Sequence, residues 1–194
     1  MAKRRVGRRL VSGQVIAAST FATADGVLAE VPDPDRLVHL QFRRFAGCPV
    51  CNLHLRSVVR RHDEIAAAGI REVVVFHSTA EELRAHTADL PFAVVADPDK
   101  RRYAEFGVES GPRALLDLRA WGPILRAISR DLAAILRRKQ PPPAARPQSG
   151  RLGLPADFLI ARDGRLIAAK YGNHAYDQWS VDELLDLAVG LRRR

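Results

Sequence analysis

Leu37-Val38-His39-Leu40-Gln41-Phe42-Arg43-Arg44-Phe45-Ala46-Gly47-Cys48-Pro49-Val50-Cys51 decides how this chain is read. The apolar run Leu37–Phe42 predicts a buried strand. Residues 52–68 follow as a helix, with Val58, Ile65 and Ala68 continuing a spacing begun by Val50 and Leu53. The chain has two cysteines, and both fall at this strand-to-helix junction. There the free N–H groups and the dipole of the helix favour negative charge on the first sulfur. A lowered thiol pKa follows, and the thiolate is the nucleophile. Pro49 takes the favoured first helical position. The pair reads as a redox centre.

Working outward, Asp25-Gly26 between residues 15–23 and 27–31 is a hairpin signal. Pro32-Asp33-Pro34-Asp35 marks a loop. Gly69 closes the CxxC helix as a C-cap, and residues 72–76 predict a second buried strand. Ser78 or Thr79 caps a helix over 80–88, whose Glu81 and Glu82 suit its first turn. Residues 91–96 form a third strand, and a short helix over 100–106 runs to Gly107. Strands alternating with helices imply βαβ units and a mainly parallel sheet.

Past Gly111-Pro112 the rhythm breaks. Residues 121–138 predict an amphipathic helix with Ile124, Leu125, Ile128, Leu132, Ile135 and Leu136 on one stripe. Residues 140–150, with Pro141-Pro142-Pro143, predict a loop or stiff spacer. Residues 157–160 and 166–171 make a second hairpin around Asp163-Gly164. A closing helix over 182–191 is capped by Ser180 with Glu183.

With 194 residues, 47% of them hydrophobic and 27% charged, the chain suits one domain with a substantial core. The expected division is a basic, flexible N-terminus at 1–12, one domain over 13–191 with 118–150 as an insertion, and a basic tail at 192–194. No stretch approaches the ~18–20 apolar residues of a membrane span. Leu10-Val11-Ser12-Gly13-Gln14 is too polar for the core of a signal peptide. A cytoplasmic location is therefore expected, where a CxxC is catalytic or metal-binding rather than a staple. The net charge of +9 is concentrated partly at the two ends. No aromatic platform is interleaved with those arginines, which argues against nucleic acid as a partner.

The order of strand, CxxC helix, strand, helix, then Pro155 opening a hairpin and a last helix resembles the thioredoxin-like superfamily. Residues 20–26 resemble the extra hairpin that peroxiredoxins add. Phe42-Arg43-Arg44-Phe45-Ala46-Gly47-Cys48-Pro49-Val50-Cys51, Gly153-Leu154-Pro155-Ala156-Asp157-Phe158-Leu159-Ile160 and Tyr171-Gly172-Asn173-His174 are similar to segments of the peroxiredoxin-like, AhpC/TSA-related family. The resemblance implies an α/β, thioredoxin-like fold: a mixed central sheet flanked by helices, a peroxiredoxin-type N-terminal β-hairpin, and a helical insertion before a cis-proline strand at Pro155.

Two departures bear on the chemistry. The peroxiredoxin segment Pro-x-x-x-Thr-x-x-Cys lays its final, peroxide-attacking Cys on Cys51, its Thr on Cys48 and its Pro on Arg44. Where peroxiredoxins carry an Arg that polarises the peroxide, this chain has Pro155, as thioredoxins do. The buried Asp of thioredoxins becomes Phe42, so a proton acceptor for the second thiol must come from elsewhere.

The candidate catalytic residues are Cys48 and Cys51, with Pro49, Pro155, Arg43 and Arg44 shaping the site. Strand alternation lets only one of the two arginines turn toward the sulfurs. As a dithiol, Cys48 attacks a disulfide and Cys51 resolves the mixed disulfide. The partner is then a thiol or disulfide protein or a low-molecular-weight thiol. As a peroxidase, Cys51 or Cys48 is oxidised by a hydroperoxide to sulfenic acid and the other Cys condenses with it. Neither route needs a cofactor or a metal. A third reading is a metal-binding or non-catalytic partner-binding module built on Cys48-x-x-Cys51-x-x-His54. A closed zinc site needs four ligands, and His77, His86 or His174 would have to reach it by folding. Otherwise His54 is expected to be a partly exposed helix residue and His39 a hydrogen-bonded core residue. Trp121 and Trp179 are expected to anchor helices. Asp157 is expected at the surface or in a cap, with a proton-acceptor role as its alternative.

Overall fold

The computed structural model describes residues 7–108, 150 and 152–192, with 122, 125 and 129 as isolated positions. The chain opens with an antiparallel hairpin, β1 (Ser19–Ala22) and β2 (Leu28–Val31). Gly26 turns it with φ +87, a left-handed conformation that suits glycine. Phe21, Ala29 and Val31 are buried, and a bridge from Thr23 to Val95 ties the hairpin to the main sheet. The strands are shorter than the sequence predicts: Val15 instead bridges Arg165.

The main sheet is built around β3 (Leu37–Phe42), with β4 (Ile70–Phe76), β5 (Ala93–Ala96), β6 (Ala156–Ile160) and β7 (Leu166–Tyr171) in the order β5-β4-β3-β6-β7. β3, β4 and β5 run parallel, and β6 and β7 return antiparallel. This is the mixed sheet of a thioredoxin-like fold. Five of the six residues of β3 are buried, so it is sandwiched on both faces. On one face Phe42 packs against the rings of Tyr103, Phe106 and Phe158 at 4.9, 5.3 and 5.7 Å. Each such pair adds about 0.5–1.5 kcal/mol beyond its area. The other face carries polar side chains, described below.

The helix predicted over 52–68 is two: α1 (Pro49–Arg60) and α2 (His62–Ala67). Arg61, at φ −115 and ψ 22, breaks them. Its guanidinium is held by Glu64 at 2.7 Å and by Asp182 at 2.5 Å, and Asp182 belongs to the C-terminal helix, far away in sequence. Gly69 ends the segment at φ +77, as expected of a C-cap. α3 (Ala80–Thr87) starts with a capping box of Thr79 and Glu82. α4 (Arg101–Glu105) follows β5, and α5 (Val181–Arg192) closes the chain behind a box of Ser180 and Glu183. Residues 7–13 lie against the domain: Gly7 N donates to Ala104 O at 2.9 Å, Leu10 N to the Tyr171 hydroxyl at 2.7 Å, and Gly13 N to Leu166 O at 2.8 Å.

Pro155 stands directly before β6, as expected, but its peptide bond is trans. Among the described residues the cis peptide is Val31–Pro32. Gly172 N donates to the Pro155 carbonyl at 2.9 Å, so the proline packs in the last hairpin. The predicted helix over 121–138 and the spacer over 140–150 lie outside the described residues, apart from helical positions 122, 125 and 129, and Gly150. Leu125, assigned to the apolar stripe, is 62% exposed. No described helix is long and apolar enough to cross a membrane.

Candidate active site

The junction of β3 and α1 is bolted to the end of β4 by three bonds. Arg43 N donates to Val75 O at 2.8 Å, His77 N to Arg44 O at 3.1 Å, and Ala46 N to the Ser78 hydroxyl at 3.0 Å. Gly47 then turns the chain at φ +71, with the His86 ring so near that a Cβ would sit 2.8 Å from it. A side chain fits neither the conformation nor the space.

Cys48 emerges from this turn as the N-cap of α1, with Pro49 after it. Its sulfur accepts the Cys51 backbone N–H at 3.5 Å and lies 3.8 Å from Arg44 Nη1. Both cysteines are free thiols and buried, at 1% and 2% exposure.

The two sulfurs differ in proton affinity. Burial pushes the Cys48 thiol up, but the Cys51 thiol, the Arg44 charge and the N–H groups of Cys51 and Val50 outweigh it and bring it from 9.0 to about 7. Burial and the neighbouring Cys48 push Cys51 well above 9.0, and Arg44 offsets this only in part. Cys48 is the sulfur that ionises first.

Arg43 goes elsewhere. His39 and Gln41 of β3, with Arg43 just past its end, alternate along the chain and form a polar stripe inside the protein. In register, His39 faces Glu72 and Gln41 faces Asp157. His39 Nδ1 bonds Glu72 at 2.8 Å and its Nε2 lies 3.3 Å from Asp157, while Arg43 Nη2 reaches Asp157 at 2.8 Å. Gln41 links the parts, accepting from Arg43 and donating to Glu72. Despite burial, Glu72 and Asp157 raise His39 to about 9, and Arg43 and His39 hold Asp157 well below the usual carboxylate range.

His54 and Trp179 complete the cluster. His54 Nε2 donates to the Trp179 carbonyl at 2.8 Å and its Nδ1 accepts from Arg43 at 3.4 Å, while Trp179 N donates to Asp157 at 3.2 Å. Burial and the Arg43 charge keep His54 neutral, lowering it to about 3.

These positions revise several expectations. Of the two arginines, Arg44 meets the sulfur and Arg43 does not, as strand alternation requires. His54 is buried rather than partly exposed, and its ring serves Trp179 and Arg43 instead of a metal. No group of three or more His, Cys, Asp or Glu among the described residues is arranged to hold one. Asp157 is neither at the surface nor bonded to a thiol; it is an inner ion-pair partner at 0% exposure. Trp179 and His39 behave as an anchor and a core residue, as expected. His86 backs Gly47, and His174 Nδ1 accepts from Tyr176 N at 3.3 Å. Gln41 and Glu72 had no assigned place, although the alternation of His39, Gln41 and Arg43 along an apolar strand was a signal for a polar stripe.

A family model described as AhpC/TSA antioxidant enzyme matches residues 57–174, more than half of the chain, starting just past Cys51. No curated protein matches. Among solved structures the chain is similar to the peroxidoxin BcpB of Mycobacterium tuberculosis, with TM-score 0.68 and 15% identity over 95% of this chain and 99% of that one. It is also similar to a peroxiredoxin-like protein of Aquifex aeolicus (TM-score 0.62, 16% identity, 96% and 90% covered). A putative thiol:disulfide interchange protein DsbE of Chlorobium tepidum gives TM-score 0.57 and 16% identity, with 94% and 97% covered. At these identities the likeness is one of fold.

Proposed function

The chain belongs to the AhpC/TSA antioxidant enzyme family, and on that premise we propose that it is a thiol redox enzyme whose Cys48–Cys51 pair cycles between dithiol and disulfide. One observation carries this reading: the Cys51 N–H and the Arg44 guanidinium both converge on the Cys48 sulfur. Cys48 is the attacking thiolate and Cys51 the resolving thiol.

The oxidant is small. With both sulfurs buried, a hydroperoxide enters more readily than a folded protein disulfide. The Cys48 thiolate attacks one peroxide oxygen, the O–O bond breaks, and the released alkoxide or hydroxide takes a proton. Cys48 is then a sulfenic acid. The Cys51 sulfur displaces its hydroxyl as water, leaving the Cys48–Cys51 disulfide. Two equivalents of an external thiol restore the dithiol and leave as their own disulfide. A reducing cytoplasm supplies such thiols.

A second reading is exchange with a small disulfide, favoured by Cys48 at a helix N-cap with Pro49 next to it. There Cys48 attacks a disulfide sulfur and Cys51 displaces the bound thiol. Counting free thiols after hydrogen peroxide or a glutathione redox buffer separates the two substrates. Cys48→Ser is expected to abolish both reactions. Cys51→Ser is expected to leave one round of sulfenic acid formation. The reverse pattern would make Cys51 the attacking sulfur, as the peroxiredoxin segment aligns it.

A further inference from the structure

Helix α5 carries more apolar side chains than the core takes up. Leu184 and Ala188 are buried, while Leu187 and Leu191 stay partly exposed at the edge of the core. An apolar stripe wider than its buried face leaves hydrophobic surface in water. Here that surface is concave. A groove of about 510 Å³ runs beside α5, lined by Ile167 of β7, Trp179, Leu187, Gly190 and Leu191. A second, of about 490 Å³, shares Ile167 and Leu191 with it and reaches the turn between β6 and β7.

The two ends of this double groove differ in charge. The α5 end carries Glu183 and Asp186, and the turn end carries Arg162, Asp163 and Arg165. Most of these are already engaged. Glu183 accepts from Ser180 N and lies 3.7 Å from Lys170, and Arg165 lies 3.7 Å from Asp163. Asp186 and Arg162 are exposed and take part in no ion pair or hydrogen bond among the described residues. One acid and one base are left over, on either side of an apolar middle at Ile167 and Leu191.

A surface ordered acid, apolar, base is complementary to itself after half a turn. A two-fold axis through the shared middle sets the apolar residues of two copies together and matches acid to base twice. The net charge of +9 opposes self-association on unmatched faces. We propose that the α5 groove is a self-docking surface, on which a second copy of this chain packs about a two-fold axis, Asp186 of each copy pairing with Arg162 of the other. Apolar burial drives the contact, and the two ion pairs fix its register.

Sedimentation velocity of the full chain over a concentration series tests this. The parent is expected to form a dimer and no larger species, because an isologous contact closes on itself. Asp186→Arg and Arg162→Asp each set like charges together twice and are expected to weaken the dimer roughly tenfold or more. Combined, they exchange the signs and are expected to recover most of the parent's affinity. Gly190→Tyr fills the groove and is expected to abolish the dimer with an unchanged circular dichroism spectrum, since a Cβ there meets nothing within 4 Å in its own chain. A parent that stays monomeric at near-millimolar concentration overturns the proposal, as do open-ended species. A dimer that the single reversals leave intact overturns it by placing the contact on another face. A double reversal no tighter than the singles overturns the Asp186–Arg162 pairing. If Gly190→Tyr does not fold, the reversals at the two exposed positions decide. None of these outcomes depends on the chemistry of Cys48 and Cys51.

Discussion

Arg43 and Arg44 are neighbours in the chain with separate destinations: Arg43 Nη2 lies 2.8 Å from Asp157, and Arg44 Nη1 lies 3.8 Å from Cys48. The alternation of β3 continues past its last residue, so one guanidinium neutralises an inner carboxylate while the next faces a sulfur. Fold and chemistry are supported by consecutive residues. Substitutions at the two positions therefore have distinct signatures.

Arg44→Met removes the positive charge beside Cys48. The Cys48 thiol is expected to rise by about one unit from its value of about 7. The measurement is the pH dependence of alkylation by iodoacetamide, whose midpoint should move up accordingly. Arg44→Lys should retain part of the effect, since a point charge replaces the planar fork. A midpoint that stays put would remove Arg44 from the account of thiolate formation.

Asp157→Ala leaves Arg43 and protonated His39 buried without their shared carboxylate. Breaking one partner of such a group costs about 3–5 kcal/mol, readable as a lower urea midpoint. Adding Arg43→Met should recover part of the loss, because the orphaned charge goes with it. A single-variant cost below about 1 kcal/mol would mean the cluster is weakly coupled.

Between pH 6.5 and 9 the pH dependence of stability has two opposing sources. His39 rises from 6.5 to about 9 on folding, so its contribution is full below pH 6.5 and is lost as pH climbs through 9. Cys48 falls from 9.0 to about 7, so its contribution is full above pH 9 and is lost as pH falls through 7. In Cys48→Ser protein only the first should remain, and stability should decline from pH 6.5 to 9. His39→Gln in that background should flatten the decline; an unaltered slope would assign it to another group.

Gly47→Ala forces a side chain into φ +71 and against the His86 ring. The expected cost is about 1–2 kcal/mol in urea unfolding. Cys48 alkylation should change as well, because the turn sets the cap.

Local signals were legible in the chain. Leu37–Phe42 forms the strand its apolar run predicts, Gly69 caps where expected, and both Ser180 with Glu183 and Thr79 with Glu82 form boxes. Each depends on residues within a few positions. What escaped depends on distant partners. Arg61, where the helix breaks, pairs with Asp182, the buried His54 ring bonds Trp179 and Arg43, and Asp157 pairs with His39 and Arg43. The CxxC as an N-cap was readable because capping is local.

The inner ladder of His39, Glu72, Gln41, Asp157 and Arg43 also acts as a proofreader of strand pairing. Alternating side chains already reject a slip of one residue, which would turn every core group outward. A slip of two passes that check, because each face keeps its character. It is penalised by the second, since sliding β6 by two residues would set Asp157 opposite either His39 or Arg43 and draw it away from the other, upsetting the buried charge balance. The central strand thus accepts one alignment of its neighbours and penalises the next nearest ones.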